Sequence, residues 1–201
     1  MSKLLSIGAA VLVVMVVLSG CGAIGGAAAT ATPQPTATPQ PTATPLPFAL
    51  TSTAFEDGAA IPERYGCRGV NVSPPLAWSG APAGTESFAL VMDDPDAVPV
   101  VGYVWDHWLL FNIPAAAQSL PEDVPQDREL PDGSRHGRNS FVRDDYGGPC
   151  PPSGVHRYVF TLYAVDTSLD LPPGSDKAAL LQAIKDHTLA QTQLTGLYGT
   201  P

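Results

Sequence analysis

Three short segments concentrate the side chains capable of chemistry: Asp94-Pro95-Asp96, Trp105-Asp106-His107-Trp108, and the run YGGPCPPSGVHRY from Tyr146 to Tyr158. Asp94 and Asp96 stand at i and i+2, so an extended segment directs both carboxylates to one side. A carboxylate beside a histidine fixes the ring's tautomer and favours its protonated form. If His107 and His156 converge on those acids they supply two N–H donors, and Tyr158 adds a hydroxyl. The backbone amides of Gly147 and Gly148 would extend the donor set, because glycine permits the close approach of an anion nest. The chemistry expected of such a set is capture of a small anion, of phosphate or carboxylate size. Each residue alone has a plainer reading: an Asp beside Pro forms turns, a strand His is a satisfied core polar group, and a Tyr caps a core.

No familiar catalytic signature accompanies them. Gly-x-Ser-x-Gly, His-Glu-x-x-His and Gly-x-x-x-x-Gly-Lys are all absent, so neither a nucleophile elbow, a zinc helix nor a phosphate loop is spelled out. Cys150 and Ser140 are the remaining nucleophile candidates, and the two histidines with the two aspartates the remaining metal candidates. A binding module, with no enzyme activity, no cofactor and no metal, is the expectation.

The elements that must position these groups read mainly as strands. Ser87 to Met92 is a short apolar run, Trp105 to Ile113 continues in aromatic and β-tolerant residues, and Arg157 to Val165 has the strongest strand composition. Alternation places Trp105, His107, Leu109 and Phe111 on one face, and Tyr158, Phe160, Leu162 and Ala164 on one face of another strand. Frequent prolines exclude long helices before residue 172. After Pro172-Pro173-Gly174, Ser175 is placed to cap a helix running to about Gln193, with Leu180, Leu181, Ile184 and Leu189 along a stripe. His187 is expected on that helix, partly exposed and not a ligand.

The rest of the chain sets where the site works. Leu4 to Leu18 is apolar behind Lys3 and ends in Leu18-Ser19-Gly20-Cys21, too short for a confident membrane span. Residues 1–20 are therefore expected to be a lipoprotein signal peptide and Cys21 the lipidated first residue, an uncleaved anchor being the alternative. Thr30 to Pro47 repeats TATPQP, TATPQP, TATPLP, so residues 21–47 form a Thr/Pro-rich linker. At about 3.1 Å per residue the repeat can hold a domain roughly 50 Å from the lipid. Residues 48–201 are long enough for one domain with a sizeable core. The formal net charge is −9, and Lys3 is the one charged residue before Phe48, so nucleic-acid binding is disfavoured. Apart from Cys21 there are two cysteines, Cys67 and Cys150, an even pair in an exported domain that reads as a disulfide or as two buried thiols.

The segments Gly69 to Ala97, Trp105 to Pro114, Gly137 to Asp166 and the final HTLAQTQLTGLYG are similar to the phosphatidylethanolamine-binding protein family, and most of all to its bacterial Raf-kinase-inhibitor-like branch. The resemblance spans nearly all of Phe48 to Gly199. It implies a mainly β fold of two sheets with a C-terminal helix, and a shallow pocket for phosphate, phosphoryl head groups or similar anions. On the matching residues that pocket comprises Asp94, Asp96, His107, Gly148, Pro149, His156 and Tyr158, walled by Trp105. The partners it implies are a small anionic ligand or phosphorylated head group, and a membrane reached through the lipid on Cys21. Inhibition of an extracytoplasmic peptidase or other protein, and a purely structural surface domain, are the alternative roles. The location expected is a bacterial membrane, with the domain outside the cytoplasm.

Overall fold

The computed structural model describes residues 46–200; the signal segment, Cys21 and all but the last two residues of the linker lie outside the described residues. Two antiparallel sheets form the body. The smaller joins β1 (Ala49–Thr51), β2 (Leu76–Ser79) and β5 (Ser119–Leu120) in the order β1-β2-β5. The larger joins β3 (Ser87–Asp94), β4 (Trp105–Pro114), β6 (Arg135–His136), β7 (Gly154–Val165) and β8 (Thr188–Thr200) in the order β6-β4-β3-β7-β8. Between β3 and β4 lies a single helical turn, α1 (Val98–Val101), and between β7 and β8 a two-turn helix, α2 (Lys177–Ile184).

The large sheet is buried on both faces, which is why its central strands read as unbroken apolar runs. Phe88, Leu90, Trp108, Leu110, Phe160 and Leu162 fill the space against the small sheet, whose Leu50, Leu76 and Trp78 meet them. Ala89, Val91, Leu109 and Phe111 face the other way and are covered by Leu180 and Ile184 of α2. Phe88 organises the start of β3: Trp78 packs edge-on at 5.2 Å and Phe48, at the chain's entry, stacks at 6.2 Å. Truncating a fully buried aromatic of this kind costs about 3–5 kcal/mol. The row Tyr158, Phe160, Leu162 and Ala164 shares one face, as alternation requires.

Three expectations change. The C-terminal helix does not reach Gln193: it stops at Ile184, and Thr188 begins a thirteen-residue strand paired to β7 along its whole length. Leu180 and Ile184 are genuine helix-face residues, but Leu189 and Leu194 belong to a Thr-rich stretch whose alternation fits a pleat, and pairing with β7 overrides the helical stripe. Asp176, not Ser175, caps the helix, its carboxylate accepting the Ala179 N–H at 2.9 Å. His187 lies between helix and strand, exposed, with Nδ1 2.8 Å from the Asp166 carboxylate.

His136, on the edge strand β6, is wholly buried. Trp108 Nε1 donates to its Nδ1 at 3.2 Å, and its Nε2 donates to the Pro125 carbonyl at 3.0 Å, so both ring nitrogens are satisfied in the neutral form. Burial holds its pKa below the ordinary value, against the pull of the Pro125 carbonyl. Folding thus excludes a proton that the unfolded chain takes up near pH 6.5. Stability is full above that pH and declines as pH falls below it. Calorimetric melting temperatures are therefore expected to drop between pH 7.5 and pH 5, and to drop less in His136→Gln.

Candidate functional site

One extra residue in β4 sets the site. Met92 of β3 pairs with Trp108, but its neighbour Asp93 pairs with Asp106, so His107 is the additional residue of a β-bulge. The bulge reverses the alternation. His107 does not share a face with Leu109 and Phe111, as a regular strand would require; it turns to the same side as Trp108 and packs edge-on against Tyr158 at 5.1 Å. Trp105 lies on this side too, opposite Asp94 in the ladder, and Asp106 is sent to the α2 side.

Trp105, His107 and Asp94 line a cavity of about 160 Å³ at the Asp94 end of β3, and Tyr158 packs behind His107 without lining it. Asp94, His107 and His156 supply its polar lining, Trp105 and Phe141 its aromatic walls, and Val100 and Val101 of α1 part of its rim. His156 Nδ1 donates to Asp94 Oδ2 at 2.7 Å. His107 Nδ1 donates to the Gly147 carbonyl at 2.7 Å, while the Gly147 N–H returns a bond to the His107 carbonyl at 3.0 Å. That carbonyl fixes the His107 proton on Nδ1 and leaves Nε2 as an acceptor. Burial lowers the His107 pKa, with the Gly147 carbonyl and the Asp94 carboxylate opposing it. The ring is accordingly neutral at neutral pH.

Three buried polar atoms at this end of the sheet lack a well-formed hydrogen bond: Asp94 Oδ1, Trp105 Nε1 and Tyr158 Oη, the last lying beside the Asp94 carboxylate and the Cys150 backbone and outside the cavity lining. They are half of the six such side-chain atoms among the described residues, and buried polar atoms are otherwise almost always paired. Asp94 is 3% exposed and Tyr158 not at all. Burial, with the adjacent Asp94 charge, pushes the Tyr158 phenol far up, so it remains a neutral hydroxyl.

The other residues marked by the sequence take different places. Asp96 does not face the same side as Asp94: its carboxylate accepts the Arg157 backbone N–H at 2.9 Å and the guanidinium at 2.7 and 3.0 Å, outside the cavity. The short helical segment Pro95–Ala97 turns it away, and Arg157 holds its pKa below the usual carboxylate range. Gly148 and Pro149 are buried behind the site and do not line it. Both expected nest donors are already used, the Gly147 N–H on His107 and the Gly148 N–H on Asn71 Oδ1 at 2.9 Å. Cys150 reaches the cavity but is bonded to Cys67, their Cα atoms 5.3 Å apart. Ser140 Oγ accepts the Asp106 N–H at 2.9 Å. The Cys150 sulfur is therefore engaged, and Ser140 does not line the cavity.

Residues not singled out by the sequence complete the mouth. Asn139 Oδ1 accepts the N–H groups of Phe141 and Arg143 at 3.0 and 3.1 Å, shaping a tight loop that aims Phe141 at the cavity. At its tip Val142 sits at φ 62°, unusual for a β-branched residue, with its side chain 73% exposed. Val98, Val100, Val101, Tyr103 and Phe141 are exposed as well, and no charged residue occurs from Ala97 to Trp105. Tyr103 stacks on Trp105 at 5.8 Å. A small, mostly apolar cavity holding a few convergent polar groups is thus set behind an apolar rim. The GRNSFVRDDYGG stretch and the Gly102 stop after Val-Pro-Val-Val were the available signals for these loops; nothing in the sequence pointed to Asn71.

The description Phosphatidylethanolamine-binding protein belongs to the family whose model matches residues 51–199. A Methanothermobacter thermautotrophicus protein designated UPF0098 is 52% identical over 149 residues, covering 74% of this chain and 97% of its own length. A Mycobacterium tuberculosis protein, LppC, provisionally named a lipoprotein, is 42% identical over 151 residues, 74% of this chain and 71% of its own. Among solved structures, that of YbcL from E. coli, titled a member of the mammalian PEBP family, superposes with a TM-score of 0.70 at 35% identity, covering 77% of this chain and 99% of its own.

The loop behind His107 leaves no room for a larger residue at Gly148, where a Cβ would fall within 2.3 Å of both Asn71 Oδ1 and the Tyr65 carbonyl. Gly148→Ala is expected to lower the unfolding free energy by about 1–3 kcal/mol, measured by denaturant titration; an unchanged midpoint would contradict this packing.

Proposed function

Since the chain belongs to the phosphatidylethanolamine-binding protein family, we propose that it is an exported binding protein, tethered to a membrane through Cys21, whose pocket takes a small proton-bearing oxyanion such as a phosphoryl head group. The observation that carries this reading is the pair of unpartnered polar atoms, Asp94 Oδ1 and Trp105 Nε1, with two imidazoles lining one small cavity. Trp105 Nε1 calls for an acceptor, whereas Asp94 Oδ1 and the neutral His107 Nε2 call for donors. A singly protonated phosphate ester meets both needs through its P–O⁻ and P–OH groups.

Charge supports the same choice. Two like charges 4 Å apart repel by about 4 kcal/mol at the effective dielectric of a protein surface, so a dianion beside Asp94 binds only if a proton enters with it. That proton comes on the ligand or on one of the two imidazoles. The apolar rim further favours an anion joined to an apolar body, since each buried methylene contributes about 0.8 kcal/mol. A binding role also suits the engagement of Cys150 in a disulfide and of Ser140 in a backbone contact.

Affinity for inorganic phosphate is therefore expected to fall at least tenfold from pH 5.5 to pH 8.5 by titration calorimetry, and butyl phosphate to bind more tightly than phosphate at either pH. Equal affinity across that range would remove the protonated-ligand reading. For the tether, Cys21→Ala is expected to abolish incorporation of radiolabelled palmitate in a bacterial host; an unchanged labelled band would refute the assignment of Cys21.

A further inference from the structure

The same two rungs of the large sheet that present Asp94 and His107 to the cavity carry a second charged cluster on their reverse face. Asp93 and Asp106 pair across β3 and β4, and Lys177, the first residue of α2, reaches both, its Nζ 2.7 Å from Asp93 Oδ1 and 2.9 Å from Asp106 Oδ1. All three side chains are only about one-fifth exposed, at 20%, 22% and 21%. We propose that Lys177 is a positioning residue for the pocket: by tying Asp106 to the α2 side it holds the β-bulge that turns His107 into the cavity. This rests on the binding function proposed above.

The reasoning follows from the two registers open to β4. In a regular strand His107 would lie with Leu109 on the α2 side and Asp106 would face Trp108 and the core between the sheets. The extra residue exchanges them. Backbone contacts hold the bulge at its outer edge, where Ser140 bonds both the N–H and the carbonyl of Asp106 and Gly147 bonds the His107 carbonyl. Of the contacts to Asp106, Lys177 alone grips the side chain, and so distinguishes the two directions it can take.

The position of Lys177 is hard to explain otherwise. A cation in the first turn of a helix opposes the helix dipole, and directly opposed carboxylates on adjacent strands repel. Each arrangement is unfavourable alone and is offset by the other. Asp93 is raised to about 6, burial being the main cause and the Asp106 charge adding to it, against Lys177. Tyr163 borders the same cluster. The pair is therefore short of positive charge even with Lys177 present, and removing the ammonium leaves only a proton shared between the two carboxyls to hold Asp106 on that face.

The test uses the full chain with Lys177→Met, Lys177→Arg and Asp106→Ala. The readouts are the ¹H–¹⁵N imidazole resonances of His107 and the affinity for inorganic phosphate at pH 5.5. Lys177→Met and Asp106→Ala are expected to shift the His107 ring resonances and weaken phosphate binding at least tenfold, while Lys177→Arg stays within threefold of the unsubstituted protein. Asp106→Ala leaves a balanced Lys177–Asp93 pair, so it reports even if Lys177→Met fails to fold. Unchanged His107 resonances in Asp106→Ala would overturn the proposal, as would an Arg variant as defective as Met. Should the unsubstituted protein bind no phosphate, the function proposed above fails, yet the ring resonances still decide the role of Lys177.

Discussion

A strand buried on both faces has no ordinary place for an ionisable side chain, and β3 and β4 are buried on both faces along most of their length. The single inserted residue at His107 resolves this at their ends. It lets consecutive residues of β4 serve opposite purposes: His107 goes to a cavity that keeps one side of its ring supplied with a carbonyl, and Asp106 goes to an ammonium. β3 does the same without a bulge, because Asp93 and Asp94 alternate normally. The cost of desolvating four ionisable groups within two rungs is met by partners on both sides of the sheet.

The cavity is acceptor-rich for a site expected to hold anions. Its carboxylate is committed to His156 through one oxygen, its second imidazole is neutral, and the phenol below it does not ionise. The nearest guanidinium on the same strand, Arg157, is engaged by Asp96. Arg143, over the Phe141 ring, is likewise engaged by Asp145 and the Tyr146 carbonyl, so on the binding role proposed above no unengaged guanidinium among the described residues lining the site meets a dianion. Selectivity then lies in where protons sit, and the ligand's own protonation state becomes part of recognition.

Much of the fold was legible because its signals are local. The apolar run from Ser87 and the alternating row from Tyr158 are patterns of adjacent residues, and they map onto β3 and β7. The misreading of Thr188 to Gln193 as helix came from the same kind of evidence: Leu189 stands eight residues after Leu181, a helical interval, and only the long ladder with β7 reveals the strand. At the site, residue types were legible but directions were not. Whether His107 faces Trp108 or Leu109 depends on a register shift against β3 that leaves no trace in β4 itself. Asp96 looked equivalent to Asp94 in an extended segment, yet a helical turn beginning at Pro95 separates them. The uses of the Gly147 and Gly148 amides depend on Asn71 and His107, which are far away in the chain.

The chain enters the domain at Phe48, stacked on Phe88 at one end of β3, whereas the cavity opens beyond Asp94 at the other. Eight residues of strand separate these ends, roughly 25 Å at the usual rise per residue. The residues before Phe48 therefore join the fold beside β1, β2 and the Phe88 cluster, away from the bulge. Under the tether proposed above, attachment and capture would act at opposite ends of one strand.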